Sequence, residues 1–140
     1  MYIYLASPFF NERESENVER AEKIFEERGF NYFSARQHPS PGVVGTTEWA
    51  TNAYEMDIEE LNKADAVVVL YYGNYSDSGT AYECGYAAAL SKPVVLVHMD
   101  AEADSNLMLH IGATTNIAFE DLGDFDFETF PVFEYEGNML

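Results

Sequence analysis

Three acids stand apart from the other carboxylates of this chain. Asp77 lies in a polar, glycine-containing loop, Glu83 follows at the start of a helix, and Asp57 comes from the helix before. Asp57 falls within the apolar stripe of Ala50, Ala53, Tyr54, Ile58 and Leu61, so its side chain is expected on the core-facing side. A carboxylate there is costly without a partner or a task; the blander role is an acid at the stripe's edge. Glu83 reads as a first-turn residue, where the partial positive charge of a helix start favours an anion. An ionised Glu83 is therefore expected at neutral pH, able to attack an electrophilic carbon or support a cation. Its competing role is local, because Thr80-x-x-Glu83 matches a capping box.

Glycosidic chemistry needs one carboxylate as nucleophile and another as proton donor around an oxocarbenium-like transition state. Acids crowded together raise at least one pKa, which keeps a proton available for a departing nucleobase. An uncharged nucleoside needs no basic residues, and the loops 7–11 and 73–79 contain none.

The elements that position these acids follow from the pattern. Tyr2–Ala6 is a short β-forming run broken by Ser7-Pro8-Phe9-Phe10-Asn11. Asn11 with Glu14 starts a helix, with Val18, Ala21, Ile24 and Phe25 at helical spacing, and Gly29 ends it. The two loop aromatics, Phe9 and Phe10, have little core to fill; Phe9 reads best as a hydrophobic staple. A second strand covers 30–35, a Pro- and Gly-rich loop 37–46, and a second helix 47–63. Ala66–Tyr71 is continuously apolar, as in a central parallel strand. A third helix is read over 80–90, a fourth strand over 93–99, helical turns over 106–111 and a fifth strand over 116–119. From Asp121 onward the tail mixes acids with Phe125, Phe127, Phe130, Phe133 and Tyr135. Such a tail is expected to dock on its own domain or on a neighbouring subunit.

Strands alternating with helices predict one α/β domain over 1–140. Its flavodoxin-like, doubly wound, mainly parallel five-stranded sheet has the order two-one-three-four-five, with helices on both faces. Ligands in such sheets bind where the order switches, between strands one and three. The loops leaving those strands are the ones already singled out.

Composition removes other classes. The net charge is −18, from 25 acids against 7 bases. That excess opposes binding to a nucleic-acid backbone or an anionic membrane. Cys84 is the lone cysteine, and His38, His98 and His110 lack ligand spacing, so neither a metal nor a cofactor is expected. Cys84 reads as a small core residue and His98 as a packing residue at a strand end. No secretory leader is apparent and no apolar run is long enough to cross a bilayer, which makes the cytoplasm the expected compartment. No Gly-x-Gly-x-x-Gly follows the first strand, against a dinucleotide oxidoreductase, and no histidine partners a serine or cysteine nucleophile.

Along nearly its whole length the chain resembles the nucleoside 2-deoxyribosyltransferases. The carriers are Ile3-Tyr4-Leu5-Ala6-Ser7-Pro8-Phe9-Phe10, then Tyr54-Glu55-Met56-Asp57-Ile58 with Ala64-Asp65, then Asp77 to Ala87, and Asn106-Leu107-Met108. The most specific is Asp77, five residues, then Glu83-x-Gly85-Tyr86-Ala87. The ending Glu134 to Leu140 also looks like the family's C-terminal segment. The resemblance implies that Glu83 attacks C1′ and forms a deoxyribosyl ester, which a second base then displaces with retention. It implies that Tyr4 holds Glu83, that Asp57 and Asp77 contact the base, with Asp77 first choice as proton donor, and that Phe10 stacks near it. Gly79 and Met108 belong to the substrate-binding set. Asn106 and the Leu140 carboxylate of a neighbouring subunit would hold the sugar hydroxyls in a hexamer built from dimers. Where family members often carry Gly-x-Gly before the Glu, this chain has Gly79-Thr80-Ala81-Tyr82, which alters how closely base or sugar can approach.

Two other readings use the same fold. A nucleoside 5′-monophosphate N-glycosidase would use the same Glu with water as acceptor, but the loop Asp100-Ala101-Glu102-Ala103-Asp104 repels a phosphate. A non-catalytic, receiver-like nucleotide-binding module would need acids at the end of strand one, where Ser7-Pro8-Phe9-Phe10 stands.

Overall fold

A computed structural model describes all residues from Met1 to Leu140. The elements follow in the order β1 (Tyr2–Ala6), α1 (Glu12–Glu27), β2 (Asn31–Ser34), α2 (Thr47–Lys63), β3 (Ala66–Tyr71), α3 (Ser78–Ala89), β4 (Val94–His98), α4 (Leu107–Gly112) and β5 (Thr115–Ala118). Short 3-10 turns follow β2 and β5. The five strands form one sheet in the order β2-β1-β3-β4-β5, every pair parallel. This is the expected flavodoxin-like order, with the switch between β1 and β3.

Alternation along the strands builds two core layers. Ile3, Leu5, Val68, Leu70, Val95 and Val97 face α1, where Val18, Ala21 and Phe25 meet them. Tyr4, Ala6, Val67, Val69 and Tyr71 face the other way, onto Leu61 of α2 and Cys84 and Ala87 of α3. Every residue of β3 is buried, which explains its unbroken apolar run. Burying one such side chain is worth about 1.5–3 kcal/mol.

Local sequence sets the helix ends. The Asn11 side chain accepts from the Glu14 amide at 2.9 Å, and the Glu14 carboxylate accepts from the Phe10 amide at 2.8 Å, which ties the first loop to α1. Gly29, at φ 72°, turns the chain out of α1. At the exit of β2, buried Glu22 of α1 accepts from Ser34 and from the Arg36 guanidinium. That ion pair fixes where the 37–46 loop departs.

The tail divides. Phe125 and Phe127 are buried in the α1-side core with Phe130 packed against them, so these rings dock on their own sheet. Farther on, Tyr135 stacks on His98 with ring centroids 4.3 Å apart and tilts against His110 at 4.9 Å. His98 accordingly serves packing, with its Nε2 2.9 Å from Asn116 Oδ1. The last residues return to the chain: the Leu140 amide donates to Ser105 O and the Leu140 main-chain oxygen accepts from the Leu107 amide, both at 2.9 Å.

Candidate active site

The α2/α3 face of the sheet brings Tyr4, Asp57 and Glu83 together. Tyr4 points from the middle of β1 into that layer and is 1% exposed. Its hydroxyl donates to Glu83 Oε1 at 2.7 Å. Burial, then the two carboxylates it faces, push the Tyr4 phenol far above the ordinary tyrosine range, so it acts only as a donor. On its far side the ring stacks on Phe33 of β2, centroids 5.5 Å apart, and Phe33 stacks in turn on His38 at 4.8 Å. Phe33 pairs with Tyr4 in register. Nothing in the sequence singles out Phe33, because the register that sets it beside Tyr4 appears only once the sheet is formed.

The charge state of Glu83 departs from expectation. The sequence placed it in the first turn as a stabilised anion. The helix begins earlier, at Ser78, and Glu83 lies a turn deeper, where the field of the helix start has fallen off. Burial raises its pKa to about 8; the Tyr4 bond opposes this, and the negative charges of Asp57 and Asp77 add to the rise. Asp57 is likewise raised to about 6, by burial, with the Tyr4 hydroxyl acting against it. Its Oδ1 is buried and has no hydrogen-bond partner. The residue as a whole is half-buried, so one oxygen is turned inward while the rest of the side chain lies at the edge of the layer.

The capping role belongs to Asp77. Its Oδ2 accepts from the Thr80 amide and the Thr80 hydroxyl, both at 2.8 Å. Thr80 therefore caps nothing, and Glu83 is free of the capping box that its spacing suggested. Gly79 is explained by the same cap: an added Cβ would stand 3.1 Å from Asp77 Oδ2. Cys84 is buried beside Glu83, and burial pushes its thiol up to about 11, which leaves it a packing residue.

Asp77 also lines a crevice of about 530 Å³ between the loops leaving β1, β3 and β4, together with Phe10, Tyr72, Tyr75 and Asp104. Phe10 is 81% exposed there, its ring stacked on Phe9 at 6.3 Å. Phe9 is thus a partner for Phe10 and no staple, since the residue a staple would meet is Ser15. A larger groove of about 1030 Å³ runs under the tail at the β5 edge and contains none of the three acids. No group of His, Cys, Asp or Glu side chains is arranged to hold a metal ion.

Asn106 caps α4, with its Oδ1 accepting from the Met108 amide at 2.9 Å. Its own amide donates to the Tyr71 hydroxyl and its Nδ2 to Asn74 Oδ1, each at 2.9 Å. Asn106 is therefore wired to the loop that carries Asp77, through Asn74, which the sequence gave no reason to single out. Met108 and Leu140 lie exposed on the surface beside α4. Neither hydrogen-bonds to the three acids, and Leu140 sits on its own chain's Ser105 and Leu107.

Comparison with known proteins gives the family of the chain. Residues 3–125 match the family model described as nucleoside 2-deoxyribosyltransferase. A nucleoside deoxyribosyltransferase of Limosilactobacillus fermentum is 34% identical across 94% of this chain and 92% of that protein. One from Lactobacillus leichmannii is 26% identical across 96% and 95%. The solved structure of a 2-deoxyribosyltransferase from Bacillus psychrosaccharolyticus superposes with a TM-score of 0.88 at 36% identity, covering 97% of this chain and all of that one. A Clostridium botulinum CMP N-glycosidase, 20% identical with a TM-score of 0.57, shares the fold.

Proposed function

Because the chain belongs to the nucleoside 2-deoxyribosyltransferase family, we propose that it moves 2-deoxyribose between nucleobases by two displacements at one carbon, with Glu83 as the nucleophile. A Glu83 oxygen attacks C1′, the C1′–N bond breaks with its electron pair going to the base, and the base nitrogen takes a proton. A second base then attacks C1′ from the opposite side, the ester C–O bond breaks, and configuration is retained overall.

The observation that carries the reading is the Tyr4–Glu83 bond inside a cluster of three carboxyls. A nucleophile must be ionised while the leaving base must be protonated. A site with two raised carboxyl groups, at about 8 for Glu83 and about 6 for Asp57, holds a proton close to neutral pH. Binding a base that accepts this proton leaves Glu83 charged at the moment it attacks. Asp77 and Asp57 take the base edge and relay the proton. Asp77 lines the crevice and keeps Oδ1 without a protein partner, which suits it to the base, while Asp57 holds the raised pKa that suits it to the proton. Phe10 stacks on the base. Asn106 and the Leu140 carboxylate of a neighbouring copy hold the sugar hydroxyls, and Met108 belongs to the substrate-binding set, in a dimer-based assembly, most simply a hexamer; the exposure of Met108 and Leu140 supports this. Glu102 and Asp104 on the crevice wall favour nucleosides over nucleotides.

The test is base exchange followed by chromatography, with deoxyinosine and adenine, beside Glu83→Ala and without acceptor. Deoxyadenosine from the parent protein only, with slower release of free deoxyribose when adenine is left out, is the expected result. Free sugar at one rate with or without acceptor would make the protein a hydrolase.

A further inference from the structure

We propose that Tyr75 is a base-holding residue, its ring and that of Phe10 closing on the two faces of a planar nucleobase whose hydrogen-bond-donating edge meets the crevice carboxylates. The inference rests on the exchange reading above for the identity of the ligand.

Tyr75 is 93% exposed on a loop that is otherwise tied down. Gly73 sits at φ 99°, so close to the next loop that an added Cβ would be 2.6 Å from the Ala103 Cβ. The Asn74 amide donates to Asp104 O at 2.7 Å and the Ser76 amide to Gly73 O at 2.9 Å. Asn74 Oδ1 also accepts from Asn106. Backbone on both sides of Tyr75 is pinned while its ring is held out in solvent. A large ring presented this way loses little freedom on meeting a ligand.

Tyr75 lines a crevice that offers little other free aromatic surface. Tyr72 lines the same crevice, but the Arg13 guanidinium lies over its ring at 5.2 Å and Asn17 donates to its hydroxyl at 3.1 Å. Phe10 and Tyr75 remain, on the loops that leave neighbouring strands β1 and β3. The crevice that both residues line, of about 530 Å³, has the volume for a purine. Its acidic walls, Glu14, Asp77, Glu102 and Asp104, offer acceptors. Carboxylates accept and do not donate when ionised, so they match an edge bearing an exocyclic amino group, as in adenine or cytosine. Stacking on an aromatic side chain contributes roughly 5- to 150-fold in affinity per base.

The experiment measures deoxyadenosine binding by calorimetry in a Glu83→Ala background, where no turnover occurs, with Tyr75 retained, Tyr75→Ala or Tyr75→Phe. Affinity is expected to fall about tenfold with alanine and to return within about twofold with phenylalanine. In the active protein the same changes are expected in KM for adenine, with kcat nearly constant. Melting temperature and sedimentation mass are measured alongside. Unchanged affinity in Tyr75→Ala overturns the proposal. So does a loss of affinity that accompanies a smaller assembly, which would make Tyr75 a subunit contact. If Glu83→Ala still exchanges bases, the nucleophile reading fails while the binding comparison still reads Tyr75 directly.

Discussion

The Tyr4 hydroxyl on β1 donates to Oε1 of Glu83 on α3 across 2.7 Å, and the same hydroxyl faces Asp57 on α2. One proton donor therefore stands between two carboxyls whose pKa values are both raised by burial. It lowers Glu83, while Asp57 raises it. Changes at the two neighbours should move the same titration in opposite directions.

Tyr4→Phe removes the group that favours ionised Glu83. The limb of the pH–kcat/KM profile governed by Glu83, near pH 8 in the parent, is expected to move upward. Exchange at pH 7 is expected to fall roughly 10–100-fold, the worth of a hydrogen bond to a charged group. An unshifted profile in stopped-time exchange assays would remove Tyr4 from the site.

Asp57→Asn removes a negative charge that raises Glu83. The same limb is expected to move downward, and the lower limb near pH 6 to disappear. Because the carboxyls interact, the two limbs belong to the cluster as a whole. Exchange is expected to slow by about 10²-fold or more if Asp57 relays the proton.

Glu83→Gln is expected to stabilise the fold while abolishing exchange. The folded protein holds the Glu83 proton to about pH 8, against 4.5 for the ordinary side chain. The cost of the buried charge is therefore absent below pH 4.5, grows as pH rises, and is complete above about 8. The melting temperature of Glu83→Gln is expected to match the parent at low pH and exceed it at pH 8 by roughly 3 °C per kcal/mol released. Calorimetry across that range reads the difference.

Arg36→Met leaves Glu22, with a side chain 4% exposed, without its cation. A loss of about 3 kcal/mol is expected in urea unfolding, since breaking a buried ion pair from one side costs far more than the pair itself contributes. Replacing both, Glu22→Gln with Arg36→Met, is expected to recover most of it.

Deleting Leu140 removes two main-chain bonds, to Ser105 and Leu107. It also moves the terminal carboxylate. KM for the deoxynucleoside is expected to rise about tenfold or more, with little change in melting temperature; steady-state kinetics of the two chains would show it.

The layout of the sheet was legible because the central strands β1, β3 and β4 are almost wholly apolar and alternate with helical segments; the edge strands β2 and β5, with Asn31, Ser34, Thr115 and Asn116, are less marked. Asp57 was legible as an acid out of place in a stripe. The state of Glu83 was not. Thr80-x-x-Glu83 has the spacing of a cap, but Asp77 stands three residues ahead of Thr80 and takes the amide first. That displaces the helix start to Ser78 and carries Glu83 into the protein. Tyr4 is separated from Glu83 by 79 positions, and nothing local distinguishes a strand tyrosine that packs from one that also donates. Asn74 and Phe33 were missed because each acts on another site residue, and such links exist only in three dimensions.

The core layer beneath α1 is closed by Phe125 and Phe127, which lie far along the chain from Ile3 and Leu5 of the same layer. Bringing such distant segments together costs loop-closure entropy before their contacts repay it. The cover of β1, β3 and β4 is therefore the least local part of the core, and loosening it exposes the inner face of the sheet without breaking a single strand pairing.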